Sequence, residues 1–413
     1  MLPVNAVSVS TRRLALLLAG LAMFGPFSID TIFPAFPQLA QRLAVDEVAV
    51  QQTVSVYLLF YGLMSIAHGP LSDAWGRRRV IIGGLVIFVA ASVGCALSRD
   101  LGTLLAFRAL QGASAGVGMI VGRAVIRDLY EGHDAQRLMS QVSMIFGVAP
   151  AIAPIIGGWI LLTGAGWPVI FWFLVAFSLV LLMATVVALP ETHPVEARTP
   201  LKPGPLMRDY LRIGLNPRFL RIACAGAFNF GGIFLYIASA PTVVMTHLGL
   251  GEGGFGWLFI PTIGGMTLGS FLSGRMAGRV RAERQVRFGF LCCAVSAVVN
   301  IAYTASVDQI SLPWAVLPIF IGGVGMAMIF PILALSVLDM YPRQRGLASS
   351  LQAFIQLMVN TIVAGVLSPM LNQTPLHLAL GGAAFFLTGG AFWQWQRRID
   401  RRTRRGQGLH PEG

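Results

Sequence analysis

Stretches of about twenty mostly apolar residues recur twelve times along this 413-residue chain, near 14–36, 53–71, 80–97, 101–125, 139–162, 167–189, 221–244, 254–273, 287–304, 313–337, 347–371 and 377–395. A hydrocarbon core about 30 Å thick takes about 20 residues of helix to cross, and a helix satisfies its own backbone groups there. The chain is therefore expected to be an all-α integral membrane protein with twelve transmembrane helices. A charged fraction of only 11% excludes a soluble enzyme. Arg12 and Arg13 ahead of the first run resemble the start of a signal peptide, but the run continues past Asp30 without a cleavage site and is read as a retained helix.

The placement of the basic residues orients these spans. With both termini cytoplasmic, 27 of the 30 Lys and Arg lie at the inner face, Arg42 and Arg99 lie outside, and Arg108 lies within a span. The net charge of +13 thus reflects topology and contact with an anionic leaflet rather than nucleic acid. The proline-rich connection 190–218 divides the spans six and six. The expected organisation is a six-helix half over 1–190, a cytoplasmic linker over 191–218, a second six-helix half over 219–398 and a basic tail over 399–413. "GRRR" after the second span is echoed by "GRV" at 278–280, and "RDLY" after the fourth by "LDMY" after the tenth. Two such halves would place a path for a small molecule between them. Cys95, Cys224, Cys292 and Cys293 lie in apolar segments without metal-ligand spacing, so no metal site and no cofactor are implied.

Sixteen of the seventeen acids map to loops, termini or span ends; Asp30 lies well inside the apolar region. Helical rise places it about 24 Å from the inner edge, and Arg108 about 10 Å below the outer edge, so the two share a level. Either they form a fixed ion pair tying spans one and four, or Asp30 changes protonation as the water exposure of its side changes. Pro34 removes the amide that would bond the Asp30 carbonyl, which predicts a local bend. Tyr57, Tyr61, Phe146, Phe234 and Tyr236 are candidates to line a central cavity or to serve as core, and His68 is expected to pack near the inner interface, with proton relay as its alternative. Pro150 and Pro154, with Gly157 and Gly158 beyond, should bend span five as a hinge or let it pack closely.

These motifs resemble the major facilitator superfamily and, more closely, the Bcr/CflA branch of its drug/proton antiporters. "GPLSDAWGRRR" at 69–79 matches the loop signature between spans two and three, and "RALQG" at 108–112 the span-four signature. "APIIGG" at 153–158 resembles the antiporter signature of span five, with Ala153 where the general form has glycine, and "SIDTIFPAFPQL" resembles the branch's first span. The resemblance covers nearly the whole chain and implies the major facilitator fold. In the loop signature, Gly69 is expected to allow close helix packing and Gly76 a tight turn. Asp73, Arg77 and Asp128 are implied to form a charge-linked latch, Asp30 with Arg108 the proton-coupling pair, and Phe146 and Phe234 pocket residues.

The expected function is proton-coupled export of small, largely apolar drugs, chloramphenicol-like or bicyclomycin-like, across a bacterial cytoplasmic membrane. Substrate, protons and lipid are then the partners, nucleic acid is not, and a monomer suffices. The rivals are an exporter of a native metabolite such as an amino acid or short peptide, and a transport-inactive sensor. An enzyme is not expected, because no catalytic set falls on one face.

Overall fold

The computed structural model describes residues 11–130, 132–342 and 344–406; between 132 and 147 only the side chains of Leu138 and Val142 are described. Among these residues every regular element is helical. The first six long helices are α1 (Thr11–Asp30), α2 (Glu47–Trp75), α3 (Arg77–Leu97), α4 (Leu101–Leu129), α5 (Gly132–Leu162) and α6 (Pro168–Ala188). The second six are α7 (Pro217–Ala238), α8 (Gly256–Met276), α9 (Ala282–Ser306), α10 (Leu317–Met340), α11 (Arg345–Ile362) and α12 (Pro375–Gly406). Ten of these runs are long and apolar enough to cross a membrane, and α5 adds the shorter apolar stretch Val148–Leu162. Glycine, serine and threonine dilute α8.

Local chemistry sets the helix starts. The Asp46 carboxylate accepts from the Ala49 amide at 2.7 Å to cap α2, and Asp100 accepts from the Thr103 amide at 2.8 Å to cap α4. Asn216 caps α7 ahead of Pro217, whose missing N–H costs nothing at a first helical position. α1 ends at Asp30, a short 3-10 turn covers Phe33–Ala35, and the helix Phe36–Leu43 resumes. The break falls where Pro34 withholds its amide.

The chain divides into two compact units, Met1–Lys202 with Glu252–Gly256, and Pro203–Gly251 with Trp257–Gly413. In the first, α4 packs on α2 and α3, α3 on α6, and α1 on α4 and α5. In the second, α7 packs on α12 and α10, and α9 on α10 and α12. Glycines set the closest crossings: a Cβ on Gly112 of α4 would strike the Tyr57 carbonyl of α2, and one on Gly265 or Gly269 of α8 would strike the carbonyls of Phe320 or Val324 on α10. The second and fourth helices of each unit thus cross closely at glycines, with the glycine on the fourth helix in the first unit and on the second helix in the second. Val180, Met183 and Val187 of α6 are 66, 62 and 82% exposed, an apolar stripe that suits lipid and not water.

Two details differ from the sequence reading. The connection between the halves contains the amphipathic helix Pro203–Gly214, which belongs to the second unit, and α12 does not stop at 398 but carries the basic run on to Gly406. In α12 the arginines that follow the apolar segment are good helix formers and carry the helix on, whereas Pro203–Gly214 is a separate helix bounded by Pro203 and Gly214.

Candidate functional site

Arg108 lies in the middle of α4 with none of its surface exposed. Its Nε donates to the Thr53 carbonyl of α2 at 3.0 Å, and Nη1 donates to the Ser28 carbonyl and hydroxyl of α1 at 3.1 Å each and to Gln111 Oε1 at 2.8 Å. The guanidinium also lies 4.4 Å from the centre of the Tyr57 ring. Gln111 is itself fixed, its amide donating to Ser92 Oγ of α3 at 2.7 Å, and the Tyr57 hydroxyl donates to the Gly25 carbonyl at 2.9 Å. The arginine therefore ties four helices together through neutral groups, which the close crossing at Gly112 makes possible.

Asp30 is 4% exposed at the last turn of α1. Ser28 turns toward Arg108, and on a helix the residue two further on points roughly the opposite way. The structure accordingly forms no Asp30–Arg108 ion pair, and no hydrogen bond from a described residue reaches the Asp30 carboxylate. Of the two alternatives for Asp30, the fixed ion pair between spans one and four is not formed, and Ser28 makes the contact with Arg108 instead. Next to Asp30, the Thr31 carbonyl is where a Cβ on Gly157 of α5 would collide, and one on Gly158 would meet the Glu252 carbonyl. Pro150 and Pro154 both lie inside α5, which remains helical through them.

A second cluster surrounds Arg77 at the start of α3. Arg77 is 7% exposed, Nη1 donates to Asp73 and, at 2.6 Å, to Ser72 Oγ, and Nε donates to Asp128 of α4 at 3.1 Å. The chain leaving α6 closes over it: Glu191 accepts from the Arg77 amide at 2.9 Å and the Thr192 hydroxyl donates to Asp128 at 2.9 Å. Gly76 joins α2 to α3 at φ +99°, a conformation open to glycine, and a Cβ there would run into the Glu191 carboxylate and Arg198. Gly69 departs from expectation, since a Cβ there would meet nothing within 4 Å and close packing is not its role in this conformation. His68 is buried on α2 with Nδ1 unpartnered among the described residues, and Gly116 of α4 leaves room for its ring.

The other aromatic candidates separate. Tyr61 lies beside Tyr57 in an edge-on contact, centroids 6.3 Å apart, with its hydroxyl 3.8 Å from Met119 Sδ. In the second unit, Tyr236 accepts from the Asn300 amide at 2.6 Å and borders a small cavity with His247 and Thr304. Phe234 stacks on Phe230. Phe146 lies outside the described side chains. The second unit has its own charge cluster, in which Glu283 of α9 meets Arg287, Arg397 and Arg401.

Sequence reading missed Ser28, Ser92 and Gln111 around Arg108, and Ser72, Glu191 and Thr192 around Arg77. Gln111 carried a signal, being three residues after Arg108 on the same helix face. Glu191 and Thr192 carried none, because a loop after a proline gives no register against a distant turn.

Residues 16–364 match the family model described as Major Facilitator Superfamily. A relative in Bacillus subtilis, named an uncharacterized MFS-type transporter, is 31% identical over 389 residues, 93% of this chain and 94% of that one. Multidrug resistance protein D of Escherichia coli is 30% identical over 364 residues, 88% of this chain and 90% of that one. The bicyclomycin resistance protein homolog of Haemophilus influenzae is 28% identical over 388 residues, 92% and 97% of the two chains. Among solved structures, a bacterial homolog of the human lysosomal transporter Spinster, inward-facing and unoccupied, matches with a TM-score of 0.73 over 95% of this chain and 98% of that one. At 18% identity that likeness concerns the fold.

Proposed function

The chain belongs to the major facilitator superfamily of membrane transporters, and from that premise we propose that it exports small, largely apolar drug-like compounds across the bacterial cytoplasmic membrane in exchange for protons. The observation that carries this reading is a buried carboxylate, Asp30, with no ion pair and no hydrogen-bond donor among the described residues, two residues from a serine that helps fix a buried arginine. The names of the relatives, resistance proteins for bicyclomycin and for multiple drugs, supply the substrate class. Both termini are cytoplasmic, in keeping with the basic excess on that side.

Asp30 takes a proton from the outer side, which favours release of the compound, and loses it inward when substrate is rebound. Arg108 acts as a positioning residue: it fixes the end of α1 that carries the acid by bonds to Ser28 and Thr53. Arg77, Asp73 and Asp128 latch one of the two alternating states. A membrane potential of about 100 mV supplies about 2.3 kcal/mol per proton. At about 1.4 kcal/mol per decade, that sustains roughly a fifty-fold gradient of a neutral compound.

The test uses inverted membrane vesicles with an established pH gradient, comparing wild type with Asp30→Asn at equal abundance. Chloramphenicol or bicyclomycin added to wild type should partly collapse the gradient, and Asp30→Asn should abolish that response while retaining substrate binding. An unresponsive wild type across a broad panel would overturn drug/proton exchange, and an equally responsive Asp30→Asn would overturn the role of Asp30.

A further inference from the structure

The helix Pro203–Gly214, just ahead of α7, presents a face that the second unit leaves uncovered. Tyr210 and Ile213 are buried, and the helix packs against α7 and α11. Met207, Leu211 and Leu215, spaced i, i+4, i+8, are 59, 53 and 72% exposed. At about 100° per residue these three form a row beside the buried arc, and Arg208 and Arg212 form the next row beyond it. Lys202 and Arg218 flank the segment, and Asp209 is its one acid.

A helix with an inward face, an adjacent exposed apolar row and a basic row beyond has the pattern of one lying in a membrane interface. Its position supports this, because Asn216 caps the spanning helix α7 two residues after it ends, and Leu220 on the first turns of α7 is itself 37% exposed. The apolar row is therefore continuous with a surface that meets lipid. We propose that Pro203–Gly214 is a docking surface for anionic phospholipid, with Met207, Leu211 and Leu215 at the acyl boundary and Arg208 and Arg212 on the headgroup phosphates. The inference is independent of the exported substrate and of proton coupling.

Spin labels at Leu211→Cys and, separately, Arg212→Cys test it, in full-length protein carrying Cys224→Ser and Cys292→Ser and reconstituted in nanodiscs. Collision with oxygen, which concentrates in lipid, is compared with collision with a water-soluble nickel chelate. With phosphatidylglycerol in the bilayer, the label at 211 should be rich in oxygen contact and shielded from nickel, and the label at 212 should be open to nickel. Shielding at 211 should weaken in pure phosphatidylcholine and in Arg208→Gln, the partition into lipid falling about fivefold per basic side chain removed. Nickel access at 211 equal to that at 212 would show a water-facing helix and overturn the proposal. Shielding from both reagents would mean that protein covers the row, and equal depth in every lipid and in Arg208→Gln would remove anionic recognition; either result also overturns it.

Discussion

Two buried arginines of the first unit, Arg108 and Arg77, are held in opposite ways. Among the described residues no carboxylate pairs with Arg108; carbonyls, a serine, a glutamine and an aromatic face surround it. Arg77 is held by two carboxylates, Asp73 and Asp128, which are 45 and 21% exposed, and a loop closes over it. Neutral dipoles that keep their character at any pH make the first arrangement permanent, whereas a cluster of partly exposed charges and a detachable loop can be opened at modest cost. One arginine is enclosed by neutral groups from four helices; the other sits in a charge cluster at a turn. The contrast also sets Asp30 apart: Ser28, and not the acid two residues on, is the side chain of α1 that meets Arg108.

The sharpest challenge to this contrast is Arg108→Ala. It removes the donor that the Thr53 and Ser28 carbonyls, the Ser28 hydroxyl and Gln111 Oε1 share and empties the space of a large buried side chain, and lost hydrogen bonds to a charged group cost about 1.5–3 kcal/mol each on top of the cavity. A loss of about 4 kcal/mol or more is expected, seen as failure to recover monodisperse protein. Arg108→Lys keeps the charge but not the planar fork, and should lose about 2 kcal/mol in a thermal melt. A lysine variant as stable as wild type would show that charge alone matters there, and the distinction from Arg77 would fail.

Next in size is Gly76→Ala, which needs an L-residue at φ +99° and drives a methyl into Glu191. About 2 kcal/mol of destabilisation is expected, part strain and part displacement of the loop. Glu191→Ala in the same chain should recover the displacement part only. Full recovery would mean that the turn is unstrained, and no recovery that the loop does not rest on it.

A smaller effect, about 1 kcal/mol each, is expected from Asp73→Asn and Asp128→Asn, since both acids are partly exposed. Because they share one guanidinium, the double variant should fall short of the sum by at least about 0.5 kcal/mol. Strict additivity would reduce the cluster to two separate surface pairs.

How much of this was legible depended on the range of the interaction. The twelve helices were readable because each needs only its own apolar run, and Pro34 marked the break after Asp30 because a missing amide acts within four residues. The loop signature at 69–79 contained Asp73 and Arg77, while Asp128, about fifty residues on, entered only through what the family resemblance implies. Whether Asp30 pairs with Arg108 stayed open in the sequence because helical rise gives depth and not azimuth; Ser28 and Asp30 lie within one turn and face different neighbours. Gly69 and Gly112 look alike in sequence, and only the crossing of α2 with α4 distinguishes a glycine in open space from one pressed against the Tyr57 carbonyl.

The smallest expected effect lies on α4 itself, which begins at the Asp100 cap and runs through Arg108 to Asp128. Asp100 is an exposed acid on the helix whose middle holds the buried cation. Donation from the Thr103 amide at 2.8 Å and its hydroxyl at 2.7 Å holds the Asp100 carboxyl below the usual carboxylate range. A native value depressed in this way gives stability that is fully present above the unfolded carboxylate value of about 4 and is lost as pH falls through the native one. The melting temperature of wild type should therefore exceed that of Asp100→Ala by a constant small margin from neutral pH down to about 5, and the margin should shrink on further acidification. Asn is as good a cap as Asp but carries no charge, so Asp100→Asn should stay close to wild type near neutrality and lack the acid-side loss. A margin unchanged at pH 3 would mean that the cap works through hydrogen-bond geometry alone, as the neutral ligands of Arg108 do, and the division between switchable and permanent contacts would then fall inside the carboxylates rather than between the two arginines.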